Sequence, residues 1–281
     1  MSRVSLPQVA LRAVTSVAIP ETVAALRRSI DQVVFGSVEL LTDREPSADA
    51  HPAIKWTRIE PIKNRQEYSD FILRRLAEHV DLPHVLVIQW DGFVLDGSRW
   101  TDAFLSFDYI GAPWPQFSDD HDVGNGGFSL RSRRLLELTA APDFRRGHPE
   151  DVAICRTNRT FLESRGIRFA PAPCASRFAF ERRQDAETFG FHGLFNFPTV
   201  LRPADLETTL RQLDPGLIAT RDGADLIMEL ARSGKRREAW RLARRRWSHA
   251  PWTRANLQLW RRLIMALATT PRDRSSAQAA A

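Results

Sequence analysis

Apolar positions change period several times along the chain. Val9 to Val17 is an apolar, β-branched run with polar interruptions, Pro20-Glu21-Thr22 opens a helical pattern through Val33, and Val38 to Leu41 is a short strand ending at Thr42-Asp43. That is a strand, helix, strand unit whose helix starts on a proline, where the missing N–H costs nothing. After a loop rich in Pro, Ser, Ala and Asp over 45–52, Lys55 to Ile62 reads as a strand. Asn64 to Val80 carries Tyr68, Phe71, Ile72, Leu76 and Val80 three to four residues apart, one face of a helix. Val85 to Trp90, just after Pro83, is almost continuously apolar, as in a strand buried on both faces of a mostly parallel sheet.

The pattern continues with a short helix over Trp100 to Phe107, then a strand from Asp108 running into an aromatic loop that ends at Pro115. Gly126 to Leu130 predicts a strand, Ser132 to Ala140 and Glu150 to Ser164 helices, and Ile167 to Ala170 an edge strand bounded by Pro171 and Pro173. Beyond Phe189-Gly190-Phe191-His192-Gly193 only helices follow, over Pro203 to Leu213, Ala224 to Ser233, Arg237 to Ser248 and Arg254 to Leu267, with a frayed end from Arg272. The expectation is an α/β domain over 1–200, a mixed and mostly parallel sheet flanked by helices, and a basic helical C-terminal extension over 201–281. In open sheets ligands bind beyond the carboxyl ends of the strands. Thr15, Asp43, Gln89 and Asp91 are therefore predicted to converge on one crevice, with Tyr68 on the helix beside it.

Composition adds limits. With 281 residues, 43% hydrophobic and 26% charged, the chain can bury a core without staples. Cys155 and Cys174 are its two cysteines, and without a secretory-type start they read as reduced thiols of a cytoplasmic protein. No stretch reaches the ~18 apolar residues of a membrane span. The net charge of +6 is uneven: from Arg221 onward 14 Lys and Arg stand against 5 Asp and Glu, leaving 26 against 29 before it. A basic tail can meet nucleic acid, anionic membrane or an acidic partner, or be a solvated helix face.

Candidate chemistry lies in three pieces. Asp91 ends the apolar strand before Gly92; such a carboxylate can ligate Mg²⁺ or Mn²⁺, or equally hold turn amides. Gly124, Asn125, Gly126 and Gly127 precede a strand, so they form neither a dinucleotide fingerprint nor a P-loop. They can bring backbone and the Asn125 amide close to a polar ligand, or make a tight hairpin. Pro149-Glu150-Asp151 puts two acids in the first turn of a helix, where the dipole favours them and where one can act as general base. His192 stands alone among aromatics.

The ordered segments QWDG, DYIGAPWP, VGNGGFSLRS, PEDV and FGFHG, spread from Leu6 to Phe195, resemble a bacterial and fungal domain family of unknown function that is itself similar to the GT-A (Rossmann-like) glycosyltransferases. The resemblance implies a metal-dependent transferase moving a sugar from a nucleotide-sugar donor to a hydroxyl of a glycan or lipid-linked acceptor. Asp91 matches the second acid of the Asp-x-Asp metal motif, with Gln89 in place of the first, and His192 is similar to the late histidine of the metal site. Glu150 and Asp151 match the acidic pair that supplies the base in inverting members, with Asp151 the implied base. The VGNGG strand would line the sugar site, and Trp114 would either stack on a sugar face or wedge the loop by packing. By their places at strand ends and on the crevice-side helix, Thr15, Asp43 and Tyr68 would frame the nucleotide. Gln89 keeps a second class open, a non-catalytic sugar- or nucleotide-binding module on a degenerate GT-A scaffold with a basic interaction tail.

In the tail, arginines from Arg236 to Arg262 interleave with Trp240, Trp247, Trp252 and Trp260, while Leu242, Leu257, Ile264 and Leu267 supply apolar faces. A helical hairpin is the structural expectation. A peripheral membrane contact is the second, and nucleic acid the least favoured partner.

Overall fold

Described residues are 3–47, 51–182, 184 and 187–269 of a computed structural model. Strand β1 (Val4–Val14) is buried from Val9 onward, and α1 (Ile19–Gln32) has its proline in the first turn and buries Val23, Leu26 and Ile30. Helix α1 returns the chain to β2 (Val33–Thr42), parallel to β1 with Leu11 beside Val38 and Val14 beside Leu41. β3 (Lys55–Arg58) is parallel to β2, shorter than the pattern predicts. α2 (Arg65–Arg74) begins where Asn64 Oδ1 accepts from the Glu67 N–H, while Glu67 Oε2 accepts from the Lys63 N–H, a reciprocal cap. The helical pattern then runs on as a 3₁₀ turn, Leu76–His79.

β4 (His84–Ile88) lies on the other side of β1, parallel to it. Its carboxyl end turns at Gln89–Asp91 into β5 (Gly92–Val94). β6 (Tyr109–Ile110) and β7 (Phe128–Ser132) complete the main sheet in the order β3-β2-β1-β4-β7-β6, with β7 antiparallel to both its neighbours. The result is the expected mixed, mostly parallel sheet with helices on it. One charge, Arg12, lies inside β1; it pairs with its register partner Glu39 at 3.1 Å and donates to His79 O at 2.8 Å, so its burial is compensated.

The expected strand from Asp108 is β6, and the aromatic loop follows where Gly111, Pro113 and Pro115 break the ladder after Ile110. Two expectations need correction. Ile167 to Ala170 is no strand: one parallel bridge, Tyr109 to Phe169, forms ahead of the two prolines. After α3 (Arg133–Ala140), capped by the Ser132 hydroxyl, the predicted helix over 150–164 is broken into α4 (Glu150–Val152), a π-turn over Ala153–Thr157 and α5 (Arg159–Ser164). Buried Asn158 explains the break, since its amide donates to Arg145 O and Ala153 O and its carbonyl accepts from the Arg145 N–H.

α6 (Ala172–Phe178) leads to β8 (Ala179–Phe180), and β9 (Gly190–His192) joins β5 and β8 in a second sheet, order β5-β9-β8, that the sequence pattern does not announce. The chain divides into two units, Met1–His192 and Gly193–Ala281, so the break falls ahead of the expected residue 200.

The second unit contains α7 (Phe197–Val200), α8 (Pro203–Gln212), α9 (Pro215–Ile218), α10 (Arg221–Arg232), α11 (Arg236–His249) and α12 (Arg254–Thr269). Leu226, Leu230, Leu242, Leu259 and Leu263 form its interior. Part of the basic charge is structural. Arg245 donates to Leu210 O and Leu213 O, and buried Arg246 donates to Ile218 O, Thr220 O and Asn256 Oδ1, so both cap the carbonyl ends of α8 and α9. Among the described residues no helix is long and apolar enough to cross a membrane. The expected frayed end from residue 272 lies outside the described residues.

Candidate functional site

Parallel register aligns the carboxyl ends of β1, β2 and β4. Val14 pairs with Leu41 and Ala13 with Ile88, so Thr15, Thr42 and Gln89 follow one another along the same edge of the sheet. Antiparallel β7 starts at that edge, because Ile88 pairs with Phe128 and the Gln89 N–H donates to Gly127 O at 2.9 Å. The glycine-rich loop therefore lies at the carboxyl end of β4 rather than at the far end of the sheet.

Two acidic groups lie by this loop, one at Gly127 through the His192 ring and one at Gly126. Asp91, 5% exposed, lies 3.3 Å from His192 Nε2, and His192 Nδ1 lies 3.4 Å from Glu181 Oε1. The pairing of Gly92 with His192 across β5 and β9 is what brings the imidazole to the strand end. A Cβ added at Gly127 would sit 2.1 Å from His192 Nε2, so only glycine lets the ring occupy its place. Burial by itself would lower the His192 pKa, but Asp91 and then Glu181 outweigh it and hold it well above the ordinary imidazole range.

At Gly126 stand Glu150 and Asp151. A Cβ at Gly126 would sit 2.1 Å from Glu150 Oε1, and the Gly126 N–H donates to Asp151 Oδ2 at 3.1 Å. Asp151 Oδ1 accepts from the Val152 N–H at 2.8 Å, so two backbone donors fix the plane of this partly exposed carboxylate. Glu150 is buried. Its pKa is raised first by burial and then by the charge of Asp151, against the pull of Arg131, whose Nη2 is 3.6 Å from Glu150 Oε1. The Ser69 hydroxyl lies 3.3 Å from Glu150 Oε2 and 2.8 Å from His148 Nδ1.

Asn125 sits at φ 68°, a left-handed conformation that asparagine tolerates, and its Oδ1 accepts from the Gly127 N–H at 3.1 Å. Its amide nitrogen is buried and has no hydrogen-bond partner among the described residues. The Tyr68 hydroxyl lies beside Gln89, Glu150, Arg131 and Asp151, and burial first and Glu150 second raise its pKa. Beyond the end of β2, Asp43 Oδ2 pairs with Arg44 Nε at 3.3 Å, while Oδ1 is buried with no hydrogen-bond partner among the described residues. Thr15 is spent locally, its hydroxyl bonded to the backbone of Val17.

Trp114 corrects the expectation of a sugar-stacking ring. It is 6% exposed and packs in the core with Phe117 and Phe144, and a Cβ on Gly124 would fall 2.0 Å from its ring. Gly124 thus serves Trp114, whereas Gly126 and Gly127 serve the two acidic groups.

Sequence reasoning missed Arg131, Ser69 and Glu181. Arg131 is fully buried and donates to Ser129 Oγ at 3.0 Å. The alternation in Phe128-Ser129-Leu130-Arg131 signals it, since Ser129 and Arg131 share one face of β7 while their neighbours fill the other. Nothing in the pattern signals Glu181, which depends on the two- and three-residue strands of the second sheet.

Among the described residues no group of three or more His, Cys, Asp or Glu side chains could hold a metal. The pair Asp91 and His192 could hold a divalent cation of the Mn²⁺ or Mg²⁺ kind once the ring gives up its proton. One carboxylate oxygen and one imidazole nitrogen meet at the strand end, Glu181 orients the far ring nitrogen, and such cations take much of their shell from phosphate and water.

Residues 53–192 match the family described as "Protein of unknown function (DUF5672)". No curated protein matches the sequence. The chain is similar to the mannosyltransferase PcManGT from Pyrobaculum calidifontis, solved with GDP-Man and Mn²⁺, at 11% identity and a TM-score of 0.43, over 100% of this chain and 79% of that one. It is also similar to an active-site mutant of LgtC, at 13% identity and a TM-score of 0.45, over 73% of this chain and 97% of that one. A glycosyltransferase involved in glycosylation of the major capsid of PBCV-1 is similar at 12% identity and a TM-score of 0.41, over 73% of this chain and 99% of that one.

Proposed function

We propose that this chain, its residues 53–192 matched to DUF5672, is a glycosyltransferase that moves a sugar from a nucleotide-sugar donor to a hydroxyl of a glycan or lipid-linked acceptor. The observation that supports it is the consecutive pair Gly126 and Gly127: Gly127 lies against the His192 ring that pairs with Asp91, and Gly126 lies against Glu150 and donates to Asp151. On this reading Asp91 and His192 serve the phosphates and Glu150 and Asp151 the proton, and their nearness to adjoining glycines suits displacement at a sugar carbon.

Asp91 and His192 would hold the divalent cation, which would neutralise charge on the leaving diphosphate. Asp151 is the proton acceptor. The acceptor hydroxyl oxygen forms its bond to the anomeric carbon as its proton passes to Asp151, and the bond to the diphosphate oxygen breaks with its electron pair leaving on the diphosphate. Glu150, its carboxyl held up by burial and by its neighbour's charge, keeps a proton longer and spares the site a second buried anion. The Asn125 amide nitrogen suits a sugar hydroxyl, the buried Asp43 Oδ1 a donor on the nucleotide, and Gln89 and Tyr68 lie between. Arg131 acts through Glu150, and Gly124 and Trp114 keep the loop in register.

Thermal-shift measurements with sugar nucleotides, each with and without Mn²⁺, test this. Stabilisation that needs both partners, and that is lost in Asp91→Ala, is the expected result. Stabilisation by the nucleotide alone, unaffected by Asp91→Ala, would leave the binding-module reading in place. Asp151→Asn should retain donor binding and lose transfer; full turnover in that variant would remove Asp151 as the base.

A further inference from the structure

The C-terminal unit carries a face that its own fold does not use. Helix α11 presents Arg237, Arg241 and Arg244 at helical spacing with Trp240 between them, around an open hollow of about 520 Å³. Beside it Arg244 and Trp247 border a second hollow of about 530 Å³, closed on the α12 side by Leu257, Trp260 and Ile264. The Trp240 and Trp260 rings, 4.8 Å apart, join the two. Arginine and aliphatic ridges are therefore adjacent strips of one surface.

Both strips are exposed at a cost that the unit's interior does not explain. Trp252 is 76% exposed in the turn between the helices, and Met265 69% and Ile264 55% on α12. Among the described residues no acidic side chain lies within ion-pair distance of Arg237, Arg244, Arg261 or Arg262, unlike Arg245 and Arg246, which cap helix ends. From Arg236 to Thr269 the chain has nine arginines and one acid, Glu238.

We propose that this face docks on an anionic lipid surface, arginines on the headgroup phosphates, tryptophans at the headgroup level and Ile264 and Met265 at the acyl boundary. Charge complementarity selects this occupant. A second copy would bring two arginine ridges together. A single-stranded nucleic acid would satisfy the arginines and stack on the tryptophans, yet has no use for Ile264, Met265 and Leu257. The inference concerns the C-terminal unit alone and does not depend on the sugar-transfer reading.

Vesicle flotation of the full chain, without any sugar nucleotide, tests it. Phosphatidylcholine vesicles containing phosphatidylglycerol should carry the protein, pure phosphatidylcholine vesicles should not, and added salt should weaken the binding. Each of Arg237→Gln, Arg244→Gln and Arg261→Gln should weaken it about fivefold. Ile264→Ser with Met265→Ser should abolish flotation while leaving the melting temperature unchanged, which separates lost contact from lost fold. No binding to the anionic vesicles, equal binding to neutral ones, or wild-type binding by the variants would overturn the proposal. So would an oligothymidylate that binds the chain and is not displaced by the vesicles, or self-association that Ile264→Ser abolishes in a chain that ignores them.

Discussion

Gly127→Ala is the most informative single change, because it adds one methyl group between backbone and the His192 ring. The added carbon would lie 2.1 Å from Nε2 and 2.4 and 2.5 Å from two ring carbons. Ordinary contacts begin near ~3.5 Å, so ring and backbone must separate by roughly 1 Å or more. Gly127 is not in the left-handed region, so alanine meets no backbone penalty and the whole effect is steric. The ring cannot simply swing aside, since Asp91 and Glu181 hold its two nitrogens. Overpacking of this kind costs about 1–3 kcal/mol. For a unit of this size that lowers the melting temperature by roughly 2–4 °C per kcal/mol. Mn²⁺-dependent nucleotide binding, read by calorimetry, should be lost with it. The control is Gly127→Ala in a His192→Ala background: with the ring gone the methyl group has room, so it should cost little stability relative to His192→Ala alone, while metal binding stays absent. A Gly127→Ala protein with unchanged melting and unchanged Mn²⁺ response would refute the close approach of loop and histidine.

Other outcomes follow from the same geometry. Gly126→Ala, whose methyl group meets Glu150 rather than His192, should lose transfer while keeping Mn²⁺-dependent donor binding, and calorimetry beside a turnover assay separates the two. Asn125→Gly should melt within about 1 kcal/mol of the parent, whereas Asn125→Ala, forced to φ 68° and without the bond to Gly127, should lose roughly 2–3 kcal/mol in denaturant titration. Glu150 has a raised folded pKa, so its stabilising contribution is complete below the ordinary value of 4.5 and is lost as pH rises through the folded value. Melting of the parent should thus fall relative to Glu150→Gln from about pH 4.5 upward, and a pH-independent difference would contradict the burial of that carboxyl. Arg131→Met should destabilise by roughly 3–5 kcal/mol, and Glu150→Gln added to it should recover much of the loss.

What could be read from the pattern, and what could not, divides along physical lines. The run from Val85 to Trp90 is long and apolar enough to declare a buried strand, which places Asp91 at its carboxyl end with no further information. Ser132 declares itself as a helix cap in the same way. Strands β5, β8 and β9 are two or three residues long, below the length at which a period of two can be recognised, so the pairing that joins His192 to Asp91 and Glu181 is invisible before folding. The fate of Trp114 is likewise unreadable, because flanking prolines stiffen the loop without saying on which side the ring falls. Asn158 shows a third limit: a helical pattern across 150–164 holds throughout, and one amide that satisfies the Arg145 backbone breaks it.

The pairing of Gly92 with His192 joins positions a hundred residues apart, and His192 closes its unit. During synthesis on the ribosome the carboxylate of Asp91 therefore emerges long before its imidazole partner. The loop, the acids at 150 and 151 and every strand of the main sheet are already available while the second sheet still lacks its middle strand. A nascent chain stopped between Asp151 and that strand would carry Glu150 and Asp151 beside the glycine loop but lack the imidazole of His192, so Asp91 gains this partner only after every strand of the main sheet has been made.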